Sequence, residues 1–275
     1  MIASFRAEII KQVRRPAIWI ILAIAAALSL LFGYIIPYII YTHPPQGVSA
    51  QDQADILKSM IPEGWLGNQI GGLALFGAAF CLILGVIVTG SEYGWNTIAT
   101  ILTQRPGRLA VLGGKLLALV LIAVVYEIVV VGPAAPASYI VARRLDAPMN
   151  WPSIPQFFGG VGAGLLLLCM WALGGAFLAI LFRGTALAIG LGMVYLFVIE
   201  NLITGFAGRL SVLKTIEKLL PGVNGGALIS AVSNTSGNPG VDHVISATRG
   251  GITVAVYAAI FVIIATVVFR QRDVA

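Results

Sequence analysis

Residues 18–41 read IWIILAIAAALSLLFGYIIPYIIY, a stretch without a single charged side chain. An α-helix needs about 20 mostly apolar residues to cross the hydrocarbon core of a bilayer, which is about 30 Å thick. This stretch is long enough, and it exceeds the apolar core of a secretory signal peptide. It therefore predicts a membrane-spanning helix that is retained in the mature protein.

Five further apolar runs have the same character. The 275 residues are 59% hydrophobic and only 10% charged, a balance that the core of one soluble domain could not hide. We therefore predict an all-α integral membrane protein, with a single transmembrane domain over residues 1–275. The predicted spans cover about residues 18–41, 66–90, 109–132, 156–182, 185–205 and 250–269. The third run can continue to Ala142, in which case Pro133 and Pro136 bend or break its outer end.

The first sixteen residues alternate apolar and polar positions at helical spacing. The apolar set is Ile2, Phe5, Ile9 and Val13. The opposite side holds Glu8, Lys11, Arg14 and Arg15. This pattern predicts an interfacial helix along the membrane surface that ends at the turn formed by Pro16. The alternative is a flexible basic tail.

The distribution of Lys and Arg predicts the orientation. More of them lie on the side of the two termini, and acidic residues nearly cancel the basic ones on the other side. We expect both termini in the cytoplasm of a cell with the protein in its inner (plasma) membrane, and a long outer segment at residues 206–249. The net charge of +6 then indicates contact with anionic lipid headgroups and not with nucleic acid.

Glycine and alanine pairs four residues apart predict close helix packing inside the membrane. They are Gly67 with Gly71, Gly160 with Gly164, and Ala186 with Gly190. Small residues at this spacing let two helix backbones approach each other.

The inner connection between the second and third spans, residues 91–105, reads SEYGWNTIATILTQR. At 100° per residue, Trp95, Ile98 and Leu102 fall on one face, and Glu92 and Asn96 on the other. This pattern predicts a short amphipathic helix at the cytoplasmic surface. Its apolar face suits either the lipid boundary or a groove on a cytosolic partner, and composition does not decide between them.

Residues 90–97 (GSEYGWNT), followed by 102–106 (LTQRP) and Lys115, resemble the G-x-E-x-x-x-x-T, R, K pattern of the permeases of type 2 ATP-binding-cassette (ABC) exporters, the ABCG-like type V fold. The basic residues before Pro16 resemble the elbow helix of that family, and residues 269–273 resemble its tail. Glu200 and the Leu219-Leu220-Pro221 stretch also fit.

The resemblance implies a six-span permease that works as a dimer, normally a homodimer, on two cytosolic ABC ATPase subunits. The inner connection would be the coupling helix. The residues it assigns to the ATPase contact are Glu92, Tyr93, Gly94, Trp95, Thr97, Ile98, Ile101, Leu102 and Arg105. The apolar spans suit an amphipathic cargo such as a peptide, lipid or drug.

The chain has no ATP-binding motif of its own. The nearest fragment to G-x-x-x-x-G-K-[ST] is residues 113–116, GGKL, which lacks the upstream glycine and the following hydroxyl. We therefore expect a non-catalytic subunit that binds no cofactor, with ATP and Mg²⁺ held by the partner ATPase.

Two acidic residues, Glu127 and Glu200, lie inside predicted spans. A charge at membrane depth costs a few kcal/mol, so such residues are candidates for substrate contact or a gate. The alternative is that each lies near the outer boundary and hydrogen-bonds a neighbouring helix. Lys115, near the inner end of the third span, is expected to extend toward the inner boundary.

Two other function classes are less consistent with the sequence. A secondary transporter or channel predicts repeated halves or rings of charge, and the last three spans do not repeat the first three. An intramembrane enzyme needs a nucleophile, paired acids or a metal at membrane depth. The two histidines, His43 and His243, lie in outer loops, so no metal site is predicted.

Overall fold

The computed structural model describes residues 2–94, 107–232, 240–241 and 245–271. Within these ranges the regular structure is helical. Six helices are long and apolar enough to cross a membrane, and each coincides with one predicted run. We call them spans 1 to 6: Pro16–Thr42, Trp65–Gly94, Arg108–Arg144, Ile154–Phe182, Ala186–Ala207 and Ala247–Gln271. The predicted all-α fold with six helices of membrane-spanning length and hydropathy is confirmed for the described residues.

Within the described residues, four shorter helices lie outside the spans. They are α1 (Ile2–Val13), α2 (Ala50–Met60), α3 (Ser211–Glu217) and α4 (Pro221–Ser230). The helical structure predicted for the first residues is present in α1. The outer connection between spans 1 and 2 is partly helical, as expected, because Ser49 and Asp52 form a capping box at the start of α2.

Spans 1, 2 and 5 are not uniform α-helices. Each contains one π-helical segment, in which the backbone bonds skip to the fifth residue and the helix widens locally. These segments are Leu31–Ile35, Leu73–Gly77 and Tyr195–Ile199. Span 3 is interrupted in a different way: one helix ends at Val131 and the next starts at Ala134. Pro133 stands in the break, so the longer form of this span, interrupted near Pro133, is the one observed.

Successive spans run in alternating directions, which gives the bundle two ends. At one end, Arg15 donates to the Ser91 hydroxyl (2.8 Å), and the guanidinium of Arg108 reaches the carbonyl of Arg270 (3.5 Å). We call this the basal end. At the opposite, distal end, the rings of Trp65 and Trp151 meet edge to face, with centroids 6.2 Å apart.

Spans 2 and 4 form the centre of the bundle. A Cβ built on Gly85 would overlap the carbonyl of Ala172, and one built on Gly175 would overlap the carbonyl of Leu82. The two backbones are therefore in direct contact, which only glycine permits. In the most apolar stretch of each span, 67% of span 2 is buried inside the protein but only 17% of span 6. Span 6 therefore lies at the outside of the bundle.

The predicted small-residue pairs differ in outcome. Gly160 and Gly164 do lie in a contact: added Cβ atoms would be 3.2 Å from Leu66 and 3.0 Å from Leu73. Gly190, in contrast, is exposed, and a Cβ there would meet nothing within 4 Å. The closest backbone approach uses Gly85 and Gly175, which the four-residue spacing did not single out.

Candidate functional site

Four charged side chains from three elements meet at the basal end. Glu8 and Lys11 come from α1, Glu92 from the last turn of span 2, and Lys115 from the second turn of span 3. The Lys115 ammonium lies 2.6 Å from Glu92 Oε1 and 3.1 Å from Glu8 Oε2. The Lys11 ammonium lies 2.6 Å from Glu8 Oε2 and also pairs with Glu92. Each cation therefore contacts both anions, and we call this group the basal ion cluster.

The basal ion cluster is almost fully enclosed. The exposed fraction is 2% for the Glu92 side chain, 3% for Lys115 and 8% for Glu8, and only Lys11 reaches 30%. Two positive and two negative groups balance each other. Balance and good geometry are what allow charges to be buried, because each ion taken alone would lose several kcal/mol of hydration.

Two further side chains, one in α1 and one just after it, add to the contact between α1 and the bundle. Gln12, itself buried, donates to Glu8 Oε1 at 2.5 Å, and Arg15 donates to the carbonyl of Ile87 at 3.3 Å. A Cβ on Gly114 would lie 2.8 Å from the backbone nitrogen of Phe5, so α1 also packs directly on the backbone of span 3. The polar side of α1 thus faces the bundle. Its apolar residues Ile2, Ile10 and Val13 are exposed.

The electrostatics of α1 follow from this arrangement. Burial acts to raise the pKa of Glu8, but the Lys115 and Lys11 ammonium groups outweigh it, and the pKa lies below its ordinary value. Burial acts to lower the pKa of Lys11, and the Glu8 and Glu92 carboxylates reverse this, so the pKa is raised. Both groups are held in their charged forms near neutral pH.

The predicted ATPase-contact residues divide into two groups. Glu92, Tyr93 and Gly94 are the final residues of span 2. Tyr93 is partly buried against a small cluster that includes Leu112 and Phe269. The remaining predicted residues lie outside the described part of the chain: Trp95, Thr97, Ile98, Ile101, Leu102 and Arg105. The structure thus positions the start of the predicted amphipathic segment, and Lys115 lies shortly after its end.

The amine of Lys115 contacts two carboxylates inside the protein. The pairing of α1 with spans 2 and 3 was not found from the sequence. The sequence carried only a weak signal for this pairing. Glu92 and Lys115 lie within about two turns of the ends of predicted spans, and Glu8 and Lys11 lie on one side of α1.

Glu200 lies at the distal part of span 5 and is 7% exposed. Its Oε1 accepts the backbone N–H of Val223 at 3.0 Å, and its carboxylate lies against Gly222. Both residues belong to the first turn of α4, whose free N–H groups and helix dipole favour a negative charge. Glu200 therefore caps α4, a helix that starts at Pro221, the last residue of the Leu219-Leu220-Pro221 stretch.

Glu127 lies deeper, in the helix of span 3, and is 4% exposed. The Oε1 atom of Glu127 lies 2.5 Å from the position that a Cβ on Gly164 would take, and Ile70 and Leu73 lie against the same glycine. Oε1 has no hydrogen-bond partner within the described residues. Glu127 is thus enclosed by spans 2, 3 and 4 in an apolar environment, apart from both the basal ion cluster and Glu200.

The described residues contain no group of three or more His, Cys, Asp or Glu side chains that could hold a metal ion. The two thiols, Cys81 and Cys169, are both free.

The family described as "Protein of unknown function (DUF2705)" matches residues 20–275. The match begins in span 1, so it includes Glu92 and Lys115 but not α1. No curated protein matches the sequence.

Proposed function

We propose that this chain, which belongs to the DUF2705 family, is the membrane-spanning permease subunit of an ATP-driven exporter. In this proposal it forms the substrate pathway as a homodimer in the inner membrane. Both termini face the cytosol, and two cytosolic ABC ATPase subunits bind the segment that begins at Glu92. The chain itself is not an enzyme.

The observation that supports this proposal is the basal ion cluster. The segment at residues 95–106 joins spans 2 and 3, and the cluster fixes the chain on both sides of it, through Glu92 before it and Lys115 after it. A force applied to this segment by a partner would therefore act on spans 2 and 3 together, and on α1 through Glu8 and Lys11. This is the mechanical property that a coupling element needs.

ATP binding and hydrolysis in the partner would bias a two-state equilibrium of the spans. Because packed interfaces are bistable, a small displacement at the basal end can favour one of two arrangements of the whole bundle. The proposed cargo is amphipathic, such as a peptide, lipid or drug, and it would enter the pathway from the membrane.

The test is reconstitution with a Walker-type ABC ATPase, sought first in the neighbouring reading frames. We expect the two proteins to co-purify and the permease to stimulate ATP hydrolysis. The charge-exchanged variant Glu92→Lys/Lys115→Glu keeps a buried pair, and we expect it to retain more stimulation than Lys115→Glu alone.

A matched control uses the exposed distal pair Lys58–Glu63, whose atoms lie 3.3 Å apart and whose side chains are 55% and 44% exposed. Exchanging these two charges should leave stimulation unchanged, since exposed pairs contribute little. Absence of co-purification, or equal stimulation by wild type and Lys115→Glu, would reject the proposed coupling role.

A second candidate function is ATP-independent transport. The observation in its favour is Glu127, a buried acid with Oε1 unpaired among the described residues, as found in proton-linked transporters. Proteoliposomes containing this chain alone discriminate between the two functions. Cargo uptake driven by a pH gradient without ATPase would support the second function, and uptake that requires ATPase and ATP would support the first.

A further inference from the structure

A cavity of about 370 Å³ lies between spans 1, 2 and 3. Two of the three π-helical segments border it: Phe32 and Gly33 come from the segment in span 1, and Leu73 and Phe76 from the segment in span 2. Its volume is within the usual range for sites that bind small molecules. Local π-helical turns are frequent at functional sites because they displace backbone and side chains from the regular helix.

One side of the cavity carries neutral hydrogen-bonding groups. Ser29 donates to Gln69 Oε1 at 2.5 Å. The Gln69 side-chain nitrogen lies 2.6 Å from the position that a Cβ on Gly33 would take, so it packs directly on that glycine. The Asn68 amide nitrogen is 3.5 Å from the carbonyl of Gly33, a long distance for a hydrogen bond. The Asn68 amide is therefore weakly engaged and can bond to a ligand.

The other side of the cavity is apolar and aromatic. The rings of Phe32 and Phe76 stack with centroids 6.1 Å apart, and Phe80 lies next to Tyr126, with centroids 6.3 Å apart. Phe32 and Phe76 are 54% and 43% exposed although they line the cavity, so the cavity reaches the outer surface of the bundle. In a membrane that surface faces lipid.

No charged side chain lines the cavity among the residues that the structure describes. An ionic headgroup would therefore lose its hydration without gaining a partner, which costs several kcal/mol. A hydroxyl or amide headgroup, in contrast, finds amide partners. The lining thus favours uncharged ligands over charged ones of the same length.

Asn68 also lines a second, larger cavity of about 770 Å³ at the distal end. That cavity contains the Lys58–Glu63 pair and Trp151. The polar side of the intramembrane cavity is thus its distal side, and Asn68 separates it from a polar space. A ligand headgroup at Asn68 and Gln69 would be oriented toward this distal space, with its apolar part between Phe76 and Phe80.

From this arrangement we propose that the cavity between spans 1, 2 and 3 binds a neutral amphiphile, with one hydroxyl or amide headgroup on Asn68 and Gln69 and an apolar body against the phenylalanines. The ligand enters from the membrane at the side of the cavity where Phe32 and Phe76 are exposed. The site belongs to one chain and needs no second copy. Binding itself does not depend on the proposed ATPase partnership. Only the interpretation of the ligand as cargo does.

The experiment uses the full chain in lipid nanodiscs and a monoacylglycerol with a diazirine in its acyl chain. After irradiation, we expect mass spectrometry to find the label in residues 25–33 and 68–80, and unlabelled monoacylglycerol to compete for it. Diazirine probes of equal length with a carboxylate or a trimethylammonium headgroup should label these residues about tenfold less.

Gly72→Leu tests the site directly. Gly72 lines the cavity, and a Cβ there would meet nothing within 4 Å, so a side chain can begin there without overlap, and the leucine is chosen to occupy cavity volume. We expect about tenfold less labelling. Gly162→Leu is the matched control, because Gly162 lies in span 4, is exposed, and also has open space at its Cβ. It should label like the wild type.

Gln69→Leu provides a second variant that removes the polar anchor. Equal labelling by neutral and charged probes, absence of competition, or unchanged labelling of Gly72→Leu would each show that the probe reports only surrounding lipid and would overturn the proposal. Because this assay contains no ATPase, its result is independent of whether the proposed exporter function holds.

Discussion

The basal ion cluster and the surroundings of Glu127 show two ways of enclosing an acid in the same bundle. Glu92 is 2% exposed and contacts two lysines. Glu127 is 4% exposed, and its Oε1 has no partner among the described residues. An ionised carboxylate is stable in the first environment and costly in the second. Equally buried acids therefore do not contribute equally to the stability of the fold, and substitutions at the two sites should differ in their effect on unfolding.

The largest expected effect is that of Lys115→Met. It removes the more deeply buried of the two lysines that contact Glu92 and Glu8, and removing one member of a buried ion pair typically costs about 3–5 kcal/mol. We expect a clearly lower unfolding temperature in detergent. A thiol-reactive dye can report it, since Cys81 is buried and becomes accessible on unfolding.

The double variant Glu92→Leu/Lys115→Met sharpens this test. It removes the pair and leaves Glu8 with Lys11, so we expect it to be more stable than Lys115→Met alone. Lys58→Met, at the exposed distal pair, should change the unfolding temperature little. A double variant less stable than Lys115→Met would contradict the role assigned to unpaired charge.

The second prediction concerns the pH dependence of the contact between α1 and the bundle. The pKa of Glu8 is lowered, so its stabilisation is complete above the unfolded pKa of about 4.3 and is lost as pH falls through the folded pKa. The pKa of Lys11 is raised, so its stabilisation is complete below about 10.4 and is lost as pH rises through the folded pKa.

We therefore expect the protection of α1 to be constant between about pH 5 and 10 and to fall at both extremes. The measurement is digestion of α1 in the intact protein at each pH, with proteases active at that pH and each rate normalised to that of an unstructured peptide substrate. A loss of protection between pH 6 and 8 would contradict the assignment.

The sequence was sufficient for the membrane architecture but not for these contacts. Run length and hydropathy predict a span because they depend only on bilayer thickness. All six spans were found, five of them within a few residues at each end, and the third takes the longer form and reaches Arg144. The break at Pro133 follows from the missing amide of proline. The pairing of Glu8 with Lys115 joins residues far apart in the chain, and nothing in local spacing specifies it. The π-helical segments are equally invisible, because their residues differ in no obvious way from those around them.

The sequence is compatible with two roles for Glu200: substrate contact or a gate, and a hydrogen bond to a neighbouring helix. The contact with α4 agrees with the second role, and the neighbour is a short helix that starts at Pro221. The third prediction follows: Glu200→Gln keeps a hydrogen-bond acceptor but removes the charge at the α4 N-terminus. We expect a loss of about 0.5–1 kcal/mol, measured by the same thiol-dye unfolding assay. A loss as large as that of Lys115→Met would show that Glu200 has a partner beyond α4.

The smallest effect is expected for Glu127→Gln. The substitution removes no ion pair and conserves shape, so the unfolding temperature should stay within the change that about 0.5 kcal/mol produces. Glu127→Leu serves as the apolar comparison and should also be tolerated. A loss as large as that of Lys115→Met would show that Glu127 has a charged partner.

The direct backbone contact between Gly85 and Gly175 restricts how such a bundle can move. Two backbones in van der Waals contact lose about a quarter to a half of their attraction when they separate by about 0.5–1 Å, so separating spans 2 and 4 costs energy from the first displacement. We expect them to behave as a single rigid spine, around which the loosely packed spans 1, 5 and 6 rearrange.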